Sequence, residues 1–348
     1  MGGYLDLLLT DPALDAFVGS GPDLSAMVAV EAALARASAA CGLIPEAARE
    51  AIAAACDTFT PDVDTLARDT RRDGVVVAGL VRQLRVHVGE PHARHVHSGA
   101  TSQDVIDTAL AIRLGGIFDL FDARLRKLDA TLGALERRFG GNVLTGRTRM
   151  QAAIPITVAD RLAVWRGLVV RAHGRLADSR AANLILSLAG PAGTADRFGD
   201  RIDAVRQDMA SRLRLAVPDY VPHAARDRIA LLGGWLSEVT GGLGKIGQDV
   251  ALMAQNELSE IELAGGGGSS AMAHKQNPVA AEVLVTLARY NAVQVSGLHQ
   301  ALVHEQERSG AAWTLEWMIL PAMLNATGVA LLHAQSMLDA VRRIGRPA

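Results

Sequence analysis

The chain has 348 residues, of which 49% are hydrophobic, and its formal net charge is −2. That length can bury a substantial core, in one large domain or in two or three smaller ones. A near-neutral balance gives no electrostatic basis for binding nucleic acid or an anionic membrane, since both call for a net basic face.

In chain order, the stretch 1–21 carries Asp6, Asp11 and Asp15 and no basic residue, so it does not read as a secretory signal. Position 6 holds neither Ser nor Thr, so the myristoylation pattern also fails. Ser25 is read as the N-cap of a helix through Ala40, stopped by Gly42 and Pro45. Shorter helices are expected from Pro45 to Cys56 and from Val75 to Val88. Cys41 and Cys56 are the only cysteines, lack CxxC or metal-type spacing, and fit a reducing cytoplasm. The segment Gly89–Gly99, with Pro91 and three histidines, reads as a loop.

Thr101 opens a helix expected to run to Phe139. Its basic residues Arg124, Arg126, Lys127, Arg137 and Arg138 are interleaved with acids and read as a solvated face. Further long helices are expected over Pro155–Arg180, Arg226–Leu263 and Pro278–Glu305. At ~1.5 Å per residue they reach roughly 40 to 55 Å and must bury apolar stripes on one another. Val279, Val283, Leu287 and Tyr290 have the spacing of such a stripe. Trp317–Leu338 contains no Asp, Glu, Lys or Arg and is long enough for a bilayer of ~30 Å. Its polar residues, Asn325, His333 and Gln335 among them, favour a helix buried inside a bundle. The fold class expected is all-α: an elongated long-helix bundle with smaller helical caps. Residues 1–98 are read as an N-terminal helical domain and 99–348 as the central bundle.

Three segments carry chemistry. Gly265 to Pro278, read GGGGSSAMAHKQNP, sits between two long helices. Its glycines give freedom to a loop that brings hydroxyl (Ser269, Ser270), cation (Lys275) and amide (Asn277) onto a ligand, as a catalytic lid does. Asn277 and Pro278 also fit the N-cap and first position of the next helix. The GxxxxGK[ST] order of a phosphate loop is missing. HSGATSQDVIDT, from His97 to Thr108, holds a capping box from Thr101 to Asp104. The same free amides, with Thr101 and Ser102, make a carboxylate site. His95 and His97 lack a third ligand, so no metal is assigned. GRTRMQAAIPIT, from Gly146 to Thr157, reads alone as a polar turn before a helix.

Together the three segments resemble the fumarase/aspartase superfamily, whose members carry such regions in this order; GGSSAMAHKQNP matches the family signature. The resemblance extends from about Val30 to beyond Trp317. It implies a long-helix bundle, a homotetramer whose active sites each draw on three chains, and addition or elimination beside a carboxylate. It implies no metal and no cofactor. Most family lyases have His where this chain has Arg149, a departure shared in kind by the carboxymuconate cycloisomerases, which also lack that His. RDRIALL after His223 and HEQERSGAAWTLEWMILP near the C-terminus are similar to that subgroup, as is a C-terminal end shorter than that of typical family lyases. Ala273 and Pro222 depart from the pattern, standing where Pro and Trp are usual.

The resemblance therefore implies lactonisation of 3-carboxy-cis,cis-muconate, a tricarboxylate, in a cytoplasmic enzyme. A fumarate-releasing lyase of the adenylosuccinate lyase kind is the alternative. By resemblance Ser269 handles the alpha proton, and Lys275 and Asn277 stabilise the aci-carboxylate. Thr101, Ser102 and Gln151 bind carboxylate, with His97, Arg149, His223 and Arg226 as further contacts. For His223 and Arg226 a helix-end ion pair is the competing reading. Ser270 and Glu282 are supporting residues, Glu282 as the partner of Arg149.

Overall fold

The structure is a computed structural model that describes residues 3–268, 272 and 276–347. Twelve α-helices, two short 3-10 helices and two two-stranded antiparallel sheets make up its regular elements among these residues. The N-terminal part holds α1 (Asp6–Leu9), α2 (Ser20–Ala40), α3 (Glu46–Thr58), α4 (Val63–Asp73) and α5 (Val76–Val88). The chain then enters α6 (Ser102–Phe139), turns through β1 (Val143–Thr148) and β2 (Gln151–Thr157), and continues as α7 (Val158–Gly174) and α8 (Leu176–Asn183). After α9 (Ile202–Leu213) come α10 (Asp227–Met253), β3 (Ile261–Leu263), α11 (Val279–Gln300), α12 (Gly310–Asp339) and β4 (Val341–Ile344).

The long helices α6, α7, α10, α11 and α12 form the bundle. The expected stripe is present: Val283 and Leu287 are buried, and Val279 and Tyr290 pack against the same core. The charge-free stretch 317–338 lies in α12. That is the one described helix long and apolar enough to cross a membrane, and here most of its apolar residues face the bundle core. The core falls into two clusters. One follows the bundle from Leu114 of α6 through Trp165, Trp235 and Leu284 to Ile344. The other joins α2, α3 and α5 to the first turns of α6 and to Leu186–Ala210, so it draws on both sides of position 98.

Four sequence expectations need correction. Ser25 lies inside α2, which starts at Ser20; Pro22 is tolerated there because first-turn amides need no helical acceptor. The helix expected from Pro155 begins at Val158, because Thr157 caps it with Asp160 and residues 151–157 pair with β1. The helix expected to reach Leu263 ends at Met253, and Ile261–Leu263 pairs antiparallel with β4. Asn277 is not an N-cap and Pro278 is not the first helical residue. The Asn277 backbone instead exchanges both hydrogen bonds with Gly267, and Pro278 has the non-helical ψ of 61°.

Candidate active site

The amino end of α6 is organised by Asp104. This buried carboxylate accepts the backbone N–H of Thr101 (2.9 Å), Ala189 (2.8 Å) and Gly190 (3.0 Å). His223 Nε2 lies 2.8 Å from its Oδ1. The predicted capping box is thus present, and it also clamps the segment before α9 to the mouth of α6. Thr101 and Ser102 remain half-buried at this end.

His97 precedes them on the loop, with its backbone in the left-handed region at φ 64°. Its Nδ1 is 2.6 Å from Glu31 Oε1 on α2. Burial opposes a charge on this ring, but Glu31 and then Asp104 override it and hold the His97 pKa above its ordinary value.

His223 and Arg226 lie deeper. The Arg226 guanidinium is enclosed by two carboxylates: Nη1 donates to Asp107 Oδ2 at 2.6 Å, Nε to Glu316 Oε1 at 2.9 Å, and Nη2 to Glu316 Oε2 at 2.5 Å. All three side chains are buried. Burial alone would raise the Asp107 pKa; Arg226 and Arg228 reverse that and hold it below the usual carboxylate range. Gln103 ties the cluster to the α11–α12 connection. Its Nε2 donates to the His223 carbonyl at 2.8 Å, and its Oε1 accepts from Arg308 Nε at 2.8 Å. The His304 ring sits 3.8 Å from Glu316, with burial, then Arg226, holding its pKa down.

The second region is a β-hairpin rather than the polar turn expected. Thr148 pairs with Gln151, so Arg149 and Met150 are its two central residues, at φ 50° and 66°. A two-residue hairpin loop needs this left-handed pair, which Asn-Gly ordinarily fills. Placing Arg and Met there costs on the order of 1 kcal/mol each. Arg149, Met150 and Gln151 are exposed at the tip. A concavity of about 500 Å³ adjoins them, lined by Arg147, Arg149, Arg161, Lys245, Asp249 and Glu260. Arg147 is paired with Glu260 at 2.8 Å and Lys245 with Asp249 at 2.5 Å, whereas Arg149 has no ion pair among the described residues.

Of the third region, Ser269, Ser270 and Lys275 lie outside the described residues. Its base is described: a Cβ on Gly267 would come within 2.5 Å of Val279, so glycine permits the two arms to close on each other. Glu282 is exposed in the first turn of α11.

Among the described residues, the first and second regions do not converge within one chain. His97, Thr101 and Ser102 stand at the amino end of α6, and the hairpin begins beyond its carboxyl end. The 38 residues between correspond to about 55 Å of helix. The base of the third region lies at the hairpin end. Glu260 reaches Arg147 and Thr145 there, and Val143 bridges to Arg346 just past β4.

Glu31, Asp107, Glu316 and Arg308 were not singled out from the sequence. The available signal was the run Gln103, Asp104, Asp107, whose three- and four-residue spacing puts polar side chains on one helix face beside apolar neighbours.

Comparison with known proteins places this arrangement. A family model described as lyase matches residues 11–297. The 3-carboxy-cis,cis-muconate cycloisomerase of Pseudomonas putida is 37% identical over 342 residues, covering 97% of this chain and 81% of that protein. The crystal structure of the 3-carboxy-cis,cis-muconate lactonizing enzyme from Pseudomonas putida superposes with a TM-score of 0.92 at 36% identity, covering 98% and 77% of the two chains. Nitrosuccinate lyase of Streptomyces davaonensis is 36% identical over 356 residues, covering 97% and 74%.

Proposed function

Because the chain belongs to the fumarase/aspartase superfamily of lyases, we propose that it is a cycloisomerase that lactonises 3-carboxy-cis,cis-muconate to 4-carboxymuconolactone, in the protocatechuate branch of the β-ketoadipate pathway. The likeness in sequence and backbone to the Pseudomonas putida enzyme along nearly the whole chain carries this reading. In the reaction a carboxylate oxygen adds to the neighbouring carbon–carbon double bond, and a proton is taken up at the carbon alpha to another carboxylate. Negative charge builds on that second carboxylate as an aci-form, so the site must offer cationic and amide donors and one proton-delivering group. Ser269 delivers the proton, made acidic enough by nearby positive charge and amides, and Lys275 and Asn277 receive the aci-form. Thr101, Ser102 and Gln151 hold carboxylates, and His97 and Arg149 meet the remaining negative charge. Arg226 and His223 act from behind, by fixing the end of α6.

The site is shared by three chains of a homotetramer. Two observations support sharing between chains: the ~55 Å of α6 between the first region and the hairpin end, and the exposed apolar side chains of the bundle helices, among them Val164, Val170, Leu231, Val293 and Met318. The number of three chains rests on the family resemblance. The enzyme works in the cytoplasm, a placement supported by its two unpaired thiols.

The nearly equal identity to nitrosuccinate lyase supports a second reading, a fumarate-releasing elimination. Two assays on the purified protein separate them. Loss of the ultraviolet absorbance of 3-carboxy-cis,cis-muconate, with no fumarate formed from 2-nitrosuccinate, is the expected result. Fumarate release without lactonisation would overturn the first reading.

A further inference from the structure

We propose that Glu31 is a positioning residue that holds the His97 ring as an imidazolium and leaves Nε2 to donate to a substrate carboxylate. This rests on the reading of His97 as part of the substrate site.

Glu31 comes from α2, 66 positions earlier in the chain, and is 2% exposed. One oxygen lies 2.6 Å from His97 Nδ1; the other, Oε2, is buried with no hydrogen-bond partner among the described residues. A carboxylate removed from water on both oxygens is costly unless a positive charge faces it. Among the described residues, His97 is its one ion-pair partner. The charged groups facing the ring come from three helices. Glu31 on α2 and Asp104 on α6 favour its protonation, and Arg85 on α5 opposes it while donating to the Val96 carbonyl at 3.1 Å.

The positive charge settles what Nε2 offers a ligand. A neutral ring with its proton on Nδ1, shared with Glu31, would show a lone pair at Nε2 and repel a carboxylate. With Glu31 ionised, only the protonated ring both donates to Glu31 and presents a donor on its other side. The strained backbone at φ 64° fits the same requirement, since the loop conformation that brings Nδ1 to Glu31 is one that a non-glycine residue rarely adopts. The signal in the sequence was slight: an acid at Glu31 in the otherwise apolar run Met27–Leu34.

The test compares wild type with Glu31→Gln by ¹⁵N-resolved NMR titration of the histidines, His97 being assigned with His97→Gln. The His97 midpoint should move to lower pH in Glu31→Gln. Above neutral pH the KM for 3-carboxy-cis,cis-muconate should rise about tenfold, the loss of one charged hydrogen bond, with kcat within twofold. Glu31→Asp should recover part of both effects, and it replaces Glu31→Gln in the comparison if circular dichroism shows that Glu31→Gln is unfolded. An unmoved midpoint would overturn the proposal, as would a moved midpoint with an unchanged KM. If wild type does not turn over this substrate, the functional reading fails separately, and the His97 titration is repeated with tricarballylate. An upward shift of the midpoint then supports the proposal and none overturns it.

Discussion

Arg226 donates to two buried carboxylates, so removing it leaves Asp107, among the described residues, with only Gln103 at 3.3 Å and Arg228 at 3.9 Å, and Glu316 with His304 at 3.8 Å. Arg226→Met should cost about 3 to 5 kcal/mol, the range for a broken buried pair, read as a lower urea midpoint. The pH dependence has a definite sign. Asp107 is held below its ordinary pKa by Arg226 and Arg228, in spite of burial. Its contribution is therefore complete above the unfolded carboxylate pKa of ~3.9 and is lost as pH falls through the lower folded value. In Arg226→Met that acid-limb contribution should shrink. A helix-end ion pair for Arg226 was one of the two readings of the sequence, but its partners were not legible, because Asp107 and Arg226 are 119 positions apart and nothing local links them. Arg149 was singled out in the sequence by the departure from His, whereas its strained hairpin setting was not. A guanidinium stays charged at any working pH, so in the proposed site Arg149 would hold carboxylates and not shuttle protons. Arg149→His should weaken binding of 3-carboxy-cis,cis-muconate by about 1.5 to 3 kcal/mol without creating fumarate release. If Arg149→Ala keeps KM and kcat within twofold of wild type, Arg149 does not contact the substrate.

At the scale of elements, the long helices were readable because their apolar spacing repeats over many turns, as in Val283 and Leu287 of α11. The hairpin was missed because β1 and β2 are short, and β2 is almost wholly exposed, so no alternation of buried and exposed residues marks it. Pro155 misled as well: it reads as a helix start, but on a two-stranded ribbon every strand is an edge and a missing N–H is tolerated. Helices α10 and α11 pack closely at Gly247. A Cβ on Gly247 would lie 2.6 Å from the Ala281 carbonyl oxygen, a backbone atom that can yield only if the helices part. Gly247→Leu should lower stability by about 1 to 3 kcal/mol and displace α11, which carries Glu282 and follows the signature loop. Urea denaturation measures the first effect. A rise in KM larger than that of a solvent-exposed control substitution measures the second.

For the whole molecule, the length of α6 gives a physical reason to separate the first region from the other two, while the assignment of Gln151 and Ser269 to different chains rests on the sequence resemblance. Ser269→Ala and Gln151→Ala tetramers should each be inactive, since each lacks one region in all four sites. Dissociated together and reassembled, they should regain measurable activity in the sites that draw both intact regions from different chains. No recovery, with mixed tetramers shown to have formed, would place both residues on one chain.

The same helix length sets a rule for how much of this enzyme is needed. Under the shared-site proposal, groups about 55 Å apart along one rod should leave an isolated subunit without chemistry. Catalysis then obeys mass action: below the dissociation constant of the assembly, specific activity should fall with dilution while helicity persists, and a substrate bridging the three regions should pull dispersed subunits back together.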